Sequence, residues 1–116
     1  MPPECLFCKI AAKQLPAKFV FEGERVVAFE DLAPQAPTHV LVIPRAHVAS
    51  TTLDVDARSH ALVGELVEVA AGIARARGFA DDGYRLVFNT NAAAGQTVFH
   101  LHLHLLGGRS FRWPPG

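Results

Sequence analysis

The sequence predicts an α+β fold built from a mainly antiparallel sheet of about five strands and one long helix. The predicted elements follow the order strand, strand, strand, helix, strand, strand. Only one connection contains a long helix, whereas each parallel pair of strands needs a long crossover. With 116 residues, half of them hydrophobic, the chain is also expected to form a single domain over residues 1–116 with its own core.

Three strands are predicted in the first part of the chain. The stretch FVFEGERVVAFED is typical of two short strands, residues 19–21 and 26–29, joined by a turn at Gly23. A loop containing two prolines follows and must run extended. The third strand is then predicted over about residues 39–43, where it ends at Pro44.

The long helix is predicted between about residues 54 and 77. Apolar side chains recur there at three- and four-residue spacing, including Leu62, Leu66 and Ile73. Gly78 is a suitable stop for the helix. After it, YRLVFN (84–89) alternates in the manner of a strand.

The last predicted strand carries three of the six histidines, within GQTVFHLHLHLLGG at residues 95–108. His100, His102 and His104 alternate with leucines, so on a strand the leucines would enter the core and the three imidazoles would point together out of it. Alternate side chains stand about 6.5–7 Å apart, so three imidazoles would span about 13 Å. That is too far for one tetrahedral metal shell, and at least one histidine is left for other work.

Three interpretations of this segment are open from the residues alone. The histidines could form a polar sheet face, two of them could chelate a metal, or one could be a nucleophile. A neutral imidazole, with an ordinary pKa near 6.5, suits transfer of a phosphoryl or nucleotidyl group. The preceding loop supports the third interpretation, because Gly95 permits an unusual turn while Gln96 and Thr97 offer donors for phosphate oxygens.

The composition bears on partners and location. Net charge is zero and basic residues are scattered, so binding to long nucleic acid would lack its main electrostatic term. No apolar run approaches the roughly 20 residues needed to span a bilayer, and the start MPPECLFCKI does not resemble a signal peptide. We therefore expect a cytoplasmic protein that binds neither nucleic acid nor membrane.

At this point the residues resemble a known family. HLHLHLL matches the histidine-triad (HIT) signature of three histidines separated by apolar residues, and GQTVFH and PQAPTHVLVIPRAH match its other motifs. The ending LLGGRSFRWPPG is similar to the Hint branch, the nucleotide-binding phosphoramidases of this superfamily. The resemblance covers about residues 8–116.

The resemblance implies a HIT-like fold, with a short N-terminal helix added to the sheet and the long helix. It also implies a homodimeric purine nucleoside phosphoramidase that releases nucleoside 5′-monophosphate through a covalent nucleotidyl-histidine, with no cofactor for the chemistry. The C-terminal segment would help form the dimer interface. The substrate would be a purine nucleotide of the AMP or GMP type.

The resemblance also implies roles for individual residues. His102 would be the nucleophile and His104 would contact the phosphate, while Thr97 and the nearby His39 would assist catalysis. The nucleotide-binding set would be Asp31 for the ribose, Phe7, Phe29 and Leu32 as walls around the base, and Asn89, Gly95, Gln96, Thr97, His102 and His104 around the phosphate.

Thr97 is a departure from the Hint pattern, which commonly has serine there. Gln-Thr also occurs in the branch that cleaves dinucleoside polyphosphates, so a polyphosphate hydrolase is an alternative, although the WPPG tail favours the phosphoramidase. A nucleotide-binding regulatory protein with incidental turnover is a second alternative. A hydrolase that uses the triad to hold a catalytic metal is a third.

Cys5 and Cys8 form a C-x-x-C pair that could pack as small apolar side chains, act as a redox pair or bind metal. Some family members pair such cysteines with two histidines. By that resemblance, Cys5, Cys8, His47 and His100 would form a closed structural zinc site. His102 and His104 would then remain for the phosphate.

Overall fold

The computed structural model describes residues 4–116, and its core is a five-stranded antiparallel sheet with strand order β1-β2-β3-β5-β4. The strands are β1 (Phe19–Glu22), β2 (Val26–Glu30), β3 (Thr38–Pro44), β4 (Tyr84–Val87) and β5 (Leu103–Gly107). The helices are the short α1 (Leu6–Ala11) and the long α2 (His60–Arg77). The predicted α+β class, with one long helix and a short N-terminal helix, is confirmed.

Both faces of the sheet are covered, each by one helix. On one face Val40 and Val42 of β3 join a cluster that includes Leu66 of α2. On the other face Leu41 and Ile43 join a cluster that includes Phe7 of α1. This explains why β3 is a continuous apolar run rather than an alternating one, because its side chains are buried in both directions.

The long helix begins six residues later than predicted. Between residues 52 and 59 the chain forms two 3₁₀ turns, Thr52–Asp54 and Ala57–Ser59, each with a capping box. The side chains of Thr51 and Asp56 accept backbone N–H groups at these starts, which gives the backbone an alternative to the α-helix. Gly78 ends α2 in the left-handed conformation, as expected.

The histidine segment is less regular than predicted. β5 begins only at Leu103, so His100 and His102 precede it, and β4 ends at Val87 rather than at residue 89. The intervening leucines do enter the core on the α2 side. The imidazoles, however, do not face solvent: α1 covers their side of the sheet, so that His100 is fully buried and only 9% of His102 is exposed.

Within the described residues, neither helix is both long enough and apolar enough to cross a membrane.

Two glycines make a matched pair for testing the packing of the sheet. A Cβ on Gly107 of β5 would overlap the Phe79 ring, whereas a Cβ on the exposed Gly64 of α2 would meet nothing within 4 Å. We expect Gly107→Ala to lower the free energy of unfolding by about 1–3 kcal/mol. Gly64→Ala should raise it by about 0.5–1 kcal/mol, because alanine favours helix. Urea denaturation of both variants measures this, and equal effects would contradict the packing described here.

Candidate active site

The candidate site is a cavity of about 240 Å³ between α1, the end of β2 and the loop before β5. Its polar side chains are Glu30, Asp31, Thr97, His102 and His104. Its remaining lining is mainly apolar: Leu6, Phe7, Ile10, Pro16, Ala17, Phe29, Leu32, Leu41 and Val98. Such a lining suits a ligand that has a flat apolar ring at one end and a polar group at the other.

The hydrogen bond of His102 determines which of its nitrogens can react. Nδ1 lies 2.8 Å from the carbonyl oxygen of His100, and a carbonyl only accepts, so Nδ1 carries the hydrogen. Nε2 therefore keeps its lone pair. Burial lowers the pKa of His102 from its ordinary value, which favours the neutral ring. The result is a neutral imidazole with a free lone pair in a cavity wall.

A relay of hydrogen bonds sets the opposite orientation for His104. The backbone N–H of Gln35 donates to Nδ1 of His39 (3.0 Å), so the hydrogen of His39 is on Nε2. That N–H donates to Nδ1 of His104 (2.9 Å), and the hydrogen of His104 is consequently on its own Nε2. His104 thus offers a donor beside His102, with 5.1 Å between the two ring centroids.

The surroundings of His104 favour its neutral form. Burial, together with the neighbouring His102 and His39, lowers its pKa to about 4, against the opposing effect of Asp31. His104 is therefore a neutral hydrogen-bond donor at pH 7 rather than a second positive charge. This also spares His102 the repulsion of a cation beside it.

The loop before the triad departs from expectation at Gln96. Its Oε1 accepts from the backbone of Asn91, and its Nε2 donates to the carbonyls of Ser50 and Val98. Both amide hydrogens are used, so in this structure the side chain has no free donor to offer a phosphate. The backbone N–H groups of Gly95 and Gln96 also bond within the loop, and Gln96 instead holds the loop in shape.

The other expected residues lie around the cavity. Gly95, with a φ of 85°, and Thr97 line it. The Asn89 side chain lies beside His104, with its amide nitrogen 3.5 Å from Nε2. Asp31 has one oxygen bonded to the N–H of Ala33 (2.7 Å) and the other 3.5 Å from Nε2 of His39.

The base walls are only partly as expected. Phe7 and Phe29 pack edge to face, with centroids 5.5 Å apart, while Leu32 is fully exposed at the rim. Sequence reasoning did not find Leu6, Ile10 or Leu41, because an apolar residue on a helix or strand carries no sign of which cavity it borders. The four-residue spacing of Leu6 and Ile10 on α1 is a signal for those two residues, whereas Leu41 lies in the apolar run of β3 and has none.

A second group of polar side chains, outside the cavity, brings Cys5, Cys8, His47 and His100 together. Their four ligand atoms all lie within 4.8 Å of one another. Nδ1 of His100 is 3.3 Å from Sγ of Cys5 and 3.4 Å from Sγ of Cys8. Nδ1 of His47 is 3.6 Å from Sγ of Cys8. A tetrahedral zinc site requires about 3.6 Å between sulfur and nitrogen, given Zn–S near 2.3 Å and Zn–N near 2.1 Å. These residues, the Cys₂His₂ cluster, therefore fit zinc.

The surroundings of the cluster also suit a cation. The carbonyl of Pro44 accepts from Nε2 of His100 (2.8 Å), and Nε2 of His47 is 3.1 Å from the Ser50 hydroxyl. Both histidines thus turn Nδ1 inward, as metal ligands do when their other nitrogen is bonded. Burial, together with the adjacent Cys5, raises the pKa of the Cys8 thiol to about 11. A bound dication would reverse this, because it stabilises thiolates.

Asp31, His39 and His104 also lie close enough to be considered for a metal. Both ring nitrogens of His39 are used by the relay, however, and so is Nδ1 of His104. In this structure these nitrogens therefore serve the relay, and an ion bound here would have to break it.

Comparison with known families agrees with the geometry. The family model described as "HIT domain" matches residues 12–111. The chain belongs to the HIT family. Among similar proteins of known structure, a HIT family hydrolase from Legionella pneumophila Philadelphia 1 superposes with a TM-score of 0.94 at 51% identity, over 97% of this chain and 100% of that one.

Two relatives of this HIT domain have informative names. The purine nucleoside phosphoramidase of Escherichia coli K12 is 47% identical over 109 residues, 94% of this chain and 91% of that protein. A protein of Zea mays named as a 14 kDa zinc-binding protein is 45% identical over 96% of this chain and 87% of its own length. The family and a hydrolase function are thereby established, and the resemblance found in the sequence is confirmed.

The protonation of His104 can be measured directly. In the ligand-free protein, an NMR pH titration should show its ring titrating well below 6.5, near pH 4, because burial disfavours the charged form. The ordinary value for histidine, near 6.5, is the reference. A midpoint for His104 at or above that value would contradict the relay.

Proposed function

We propose that this HIT domain is a purine nucleoside phosphoramidase. It cleaves the phosphorus–nitrogen bond of a nucleoside 5′-phosphoramidate and releases the nucleoside monophosphate through a covalent nucleotidyl-His102. The observation that carries the proposal is the Nε2 lone pair of His102, beside a neutral donor on His104. The name of the E. coli relative supports the same activity.

The cavity suits a nucleotide in one orientation. The base would lie between Phe7 and Phe29 under the rim at Leu32, and the Asp31 carboxylate would accept from the ribose hydroxyls. The α-phosphate would then lie at the polar end, against the triad. Binding the nucleoside in this way turns attack on phosphorus into an intramolecular step.

The first chemical step transfers the nucleotide to the protein. Nε2 of His102 forms a bond to phosphorus as the phosphorus–nitrogen bond breaks, and the leaving amine keeps the electron pair and takes a proton from solvent. Nε2–H of His104 donates to a phosphate oxygen, where negative charge grows. The positive charge that develops on His102 is stabilised by the Nδ1–H bond to the His100 carbonyl.

The second step restores the enzyme. Water attacks phosphorus opposite His102, the bond to Nε2 breaks, and the monophosphate leaves after the water has lost a proton. Thr97 lines the cavity at this point, and its hydroxyl can contact either the leaving amine or the incoming water. The imidazole returns to its starting tautomer because the His100 carbonyl still accepts from Nδ1.

Zinc in the Cys₂His₂ cluster is the second part of the proposal. Its four ligands leave no open position, so the ion is structural and supplies binding energy rather than a reactive water. Cys5 and Cys8 would bind it from α1, His47 from the loop after β3 and His100 from the segment before β5.

The third part of the proposal is a homodimer formed through the β4 edge and the C-terminal segment. Arg85 of β4 donates to the carbonyl of Arg112 (3.0 Å), and its guanidinium lies 5.1 Å from the centre of the Phe111 ring. These contacts hold the segment along the sheet edge, where a cavity of about 650 Å³ opens. Trp113 is 84% exposed there, and covering such a side chain with a second copy would gain free energy.

Replacing the nucleophile tests the mechanism. With adenosine 5′-phosphoramidate as substrate, we expect wild type to release adenosine monophosphate and His102→Ala to lose activity by a factor on the order of a thousand or more. His60→Ala is the matched control, because His60 is exposed on α2, and it should keep wild-type activity. Rapid quenching should trap the nucleotide on His102.

Full turnover by His102→Ala, or the absence of any trapped adduct, would contradict the covalent mechanism. A panel with guanosine phosphoramidate and dinucleoside polyphosphates separates the alternatives. Preference for the polyphosphates would make the protein a polyphosphate hydrolase, and monophosphate binding without turnover of any substrate would make it a regulatory nucleotide-binding protein.

Truncation after Gly108 tests the dimer. Sedimentation should show a dimer for the full chain and a monomer for the truncated one. The melting temperature should change little, because the removed residues are mostly exposed. Selectivity should be affected more than stability: the ratio of the kcat/KM values for two phosphoramidates with different amines should differ between the full chain and the truncated one. A monomeric full-length protein, or a truncated dimer with unchanged selectivity, would contradict this part of the proposal.

A further inference from the structure

We infer that the Cys₂His₂ cluster positions the nucleophile: a metal held there fixes the tautomer and the place of His102 through the main chain of His100. The inference rests on the proposed function for its catalytic consequence. It assigns the cluster a role in the reaction, although none of its side chains reaches the substrate cavity's polar end.

One residue makes both contacts. The side chain of His100 presents Nδ1 to the two sulfurs at 3.3 and 3.4 Å, while its carbonyl accepts from Nδ1 of His102 at 2.8 Å. The ring is held from its other side by the Pro44 carbonyl at the end of β3. Any movement of the fully buried His100 side chain therefore moves the acceptor that orients the nucleophile.

The sheet does not hold this acceptor in place. β5 begins at Leu103, so the peptides of His100 and His102 lie outside the regular strand pairing. The N–H of the intervening Leu101 bonds to the carbonyl of Ala49, in the loop that follows His47. The position of the His100 carbonyl thus depends on side-chain contacts and on this loop, and the cluster joins the two.

A second path runs through α1. Cys5 caps this helix by accepting from the N–H of Cys8, and Phe7 between them packs edge-on against the rings of His100 and His102, with centroids 6.0 and 5.0 Å apart. A metal on the two cysteines anchors the helix and so keeps Phe7 against the nucleophile. The His100 carbonyl and the Phe7 ring therefore hold the imidazole of His102 on two sides.

The consequence concerns the tautomer. If the His100 carbonyl moves away, the hydrogen of His102 is free to occupy Nε2, and the lone pair that attacks phosphorus is lost. Losing the metal should therefore lower kcat, by about 10–100-fold as for other groups that orient a reactive one. The change in KM should be smaller, because Asp31 and Phe29 bind from β2 and the segment after it.

The experiment uses the full-length protein in three states: loaded with zinc, stripped by a chelator and reloaded. Nitrogen–proton correlation spectra of the imidazoles report the tautomer of His102 without reference to activity, and cobalt substitution reports occupancy by its absorption. We expect the Nδ1–H tautomer when zinc is present and a mixture when it is absent, with kcat falling in parallel and recovering on reloading. Cys8→Ser should resemble the stripped protein.

Ile73→Val is the matched control. It removes a buried methylene from α2, on the opposite face of the sheet, so it lowers stability without touching the cluster. In this variant, the tautomer of His102 and the kcat should be the same as in the wild type. If Cys8→Ser fails to fold, the stripped wild type still provides the comparison.

Two results would overturn the inference: a stripped protein that keeps the Nδ1–H tautomer and its kcat, or a protein that takes up neither zinc nor cobalt. Failure of the proposed function would look different. In that case zinc would still control the tautomer, but the loaded wild type would not cleave phosphoramidates.

Discussion

The hydrogen bond between Nδ1 of His102 and the His100 carbonyl decides which nitrogen of the central imidazole is free to react. The two residues are two positions apart. In a regular strand this bond would not form, because the side chains would stand side by side and the carbonyl of His100 would face a neighbouring strand. The late start of β5 at Leu103 releases this peptide from the sheet. The irregularity that sequence patterning could not predict is therefore what leaves Nε2 of His102 with a free lone pair.

The two faces of the sheet divide stability from chemistry. The α2 face is filled by aliphatic side chains such as Val42, Leu66 and Leu105, so its burial contributes stability at little polar cost. The α1 face buries imidazoles, each of which needs a partner to offset its desolvation. Their partners include backbone groups of β3, of the loop after β2 and of the triad segment itself, so much of this polar cost is offset by the main chain.

The sequence predicted the elements whose signals are local, and the comparisons and the structure confirm the fold class and the family. Alternating leucines and histidines, apolar runs and helical spacing were sufficient for both. The tautomers were beyond reach, because they depend on backbone groups of Gln35 and His100 that no residue pattern reveals. For Gln96, an amide before a histidine triad suggests a phosphate donor, and only the structure shows both of its hydrogens bonded to the carbonyls of Ser50 and Val98.

The charge state of the site follows from burial and accounts for the kind of substrate it suits. A buried imidazole that attacks phosphorus acquires a positive charge, which a low-dielectric cavity disfavours unless a negative charge is near. Asp31 is one such charge, and it opposes the effect of burial on the pKa values of His102 and His104. In the proposed reaction, the phosphate of the substrate is the other. Because His104 stays neutral, a cation formed on His102 would meet an anion rather than a second cation, and the proposed mechanism therefore favours anionic phosphorus over neutral acyl groups.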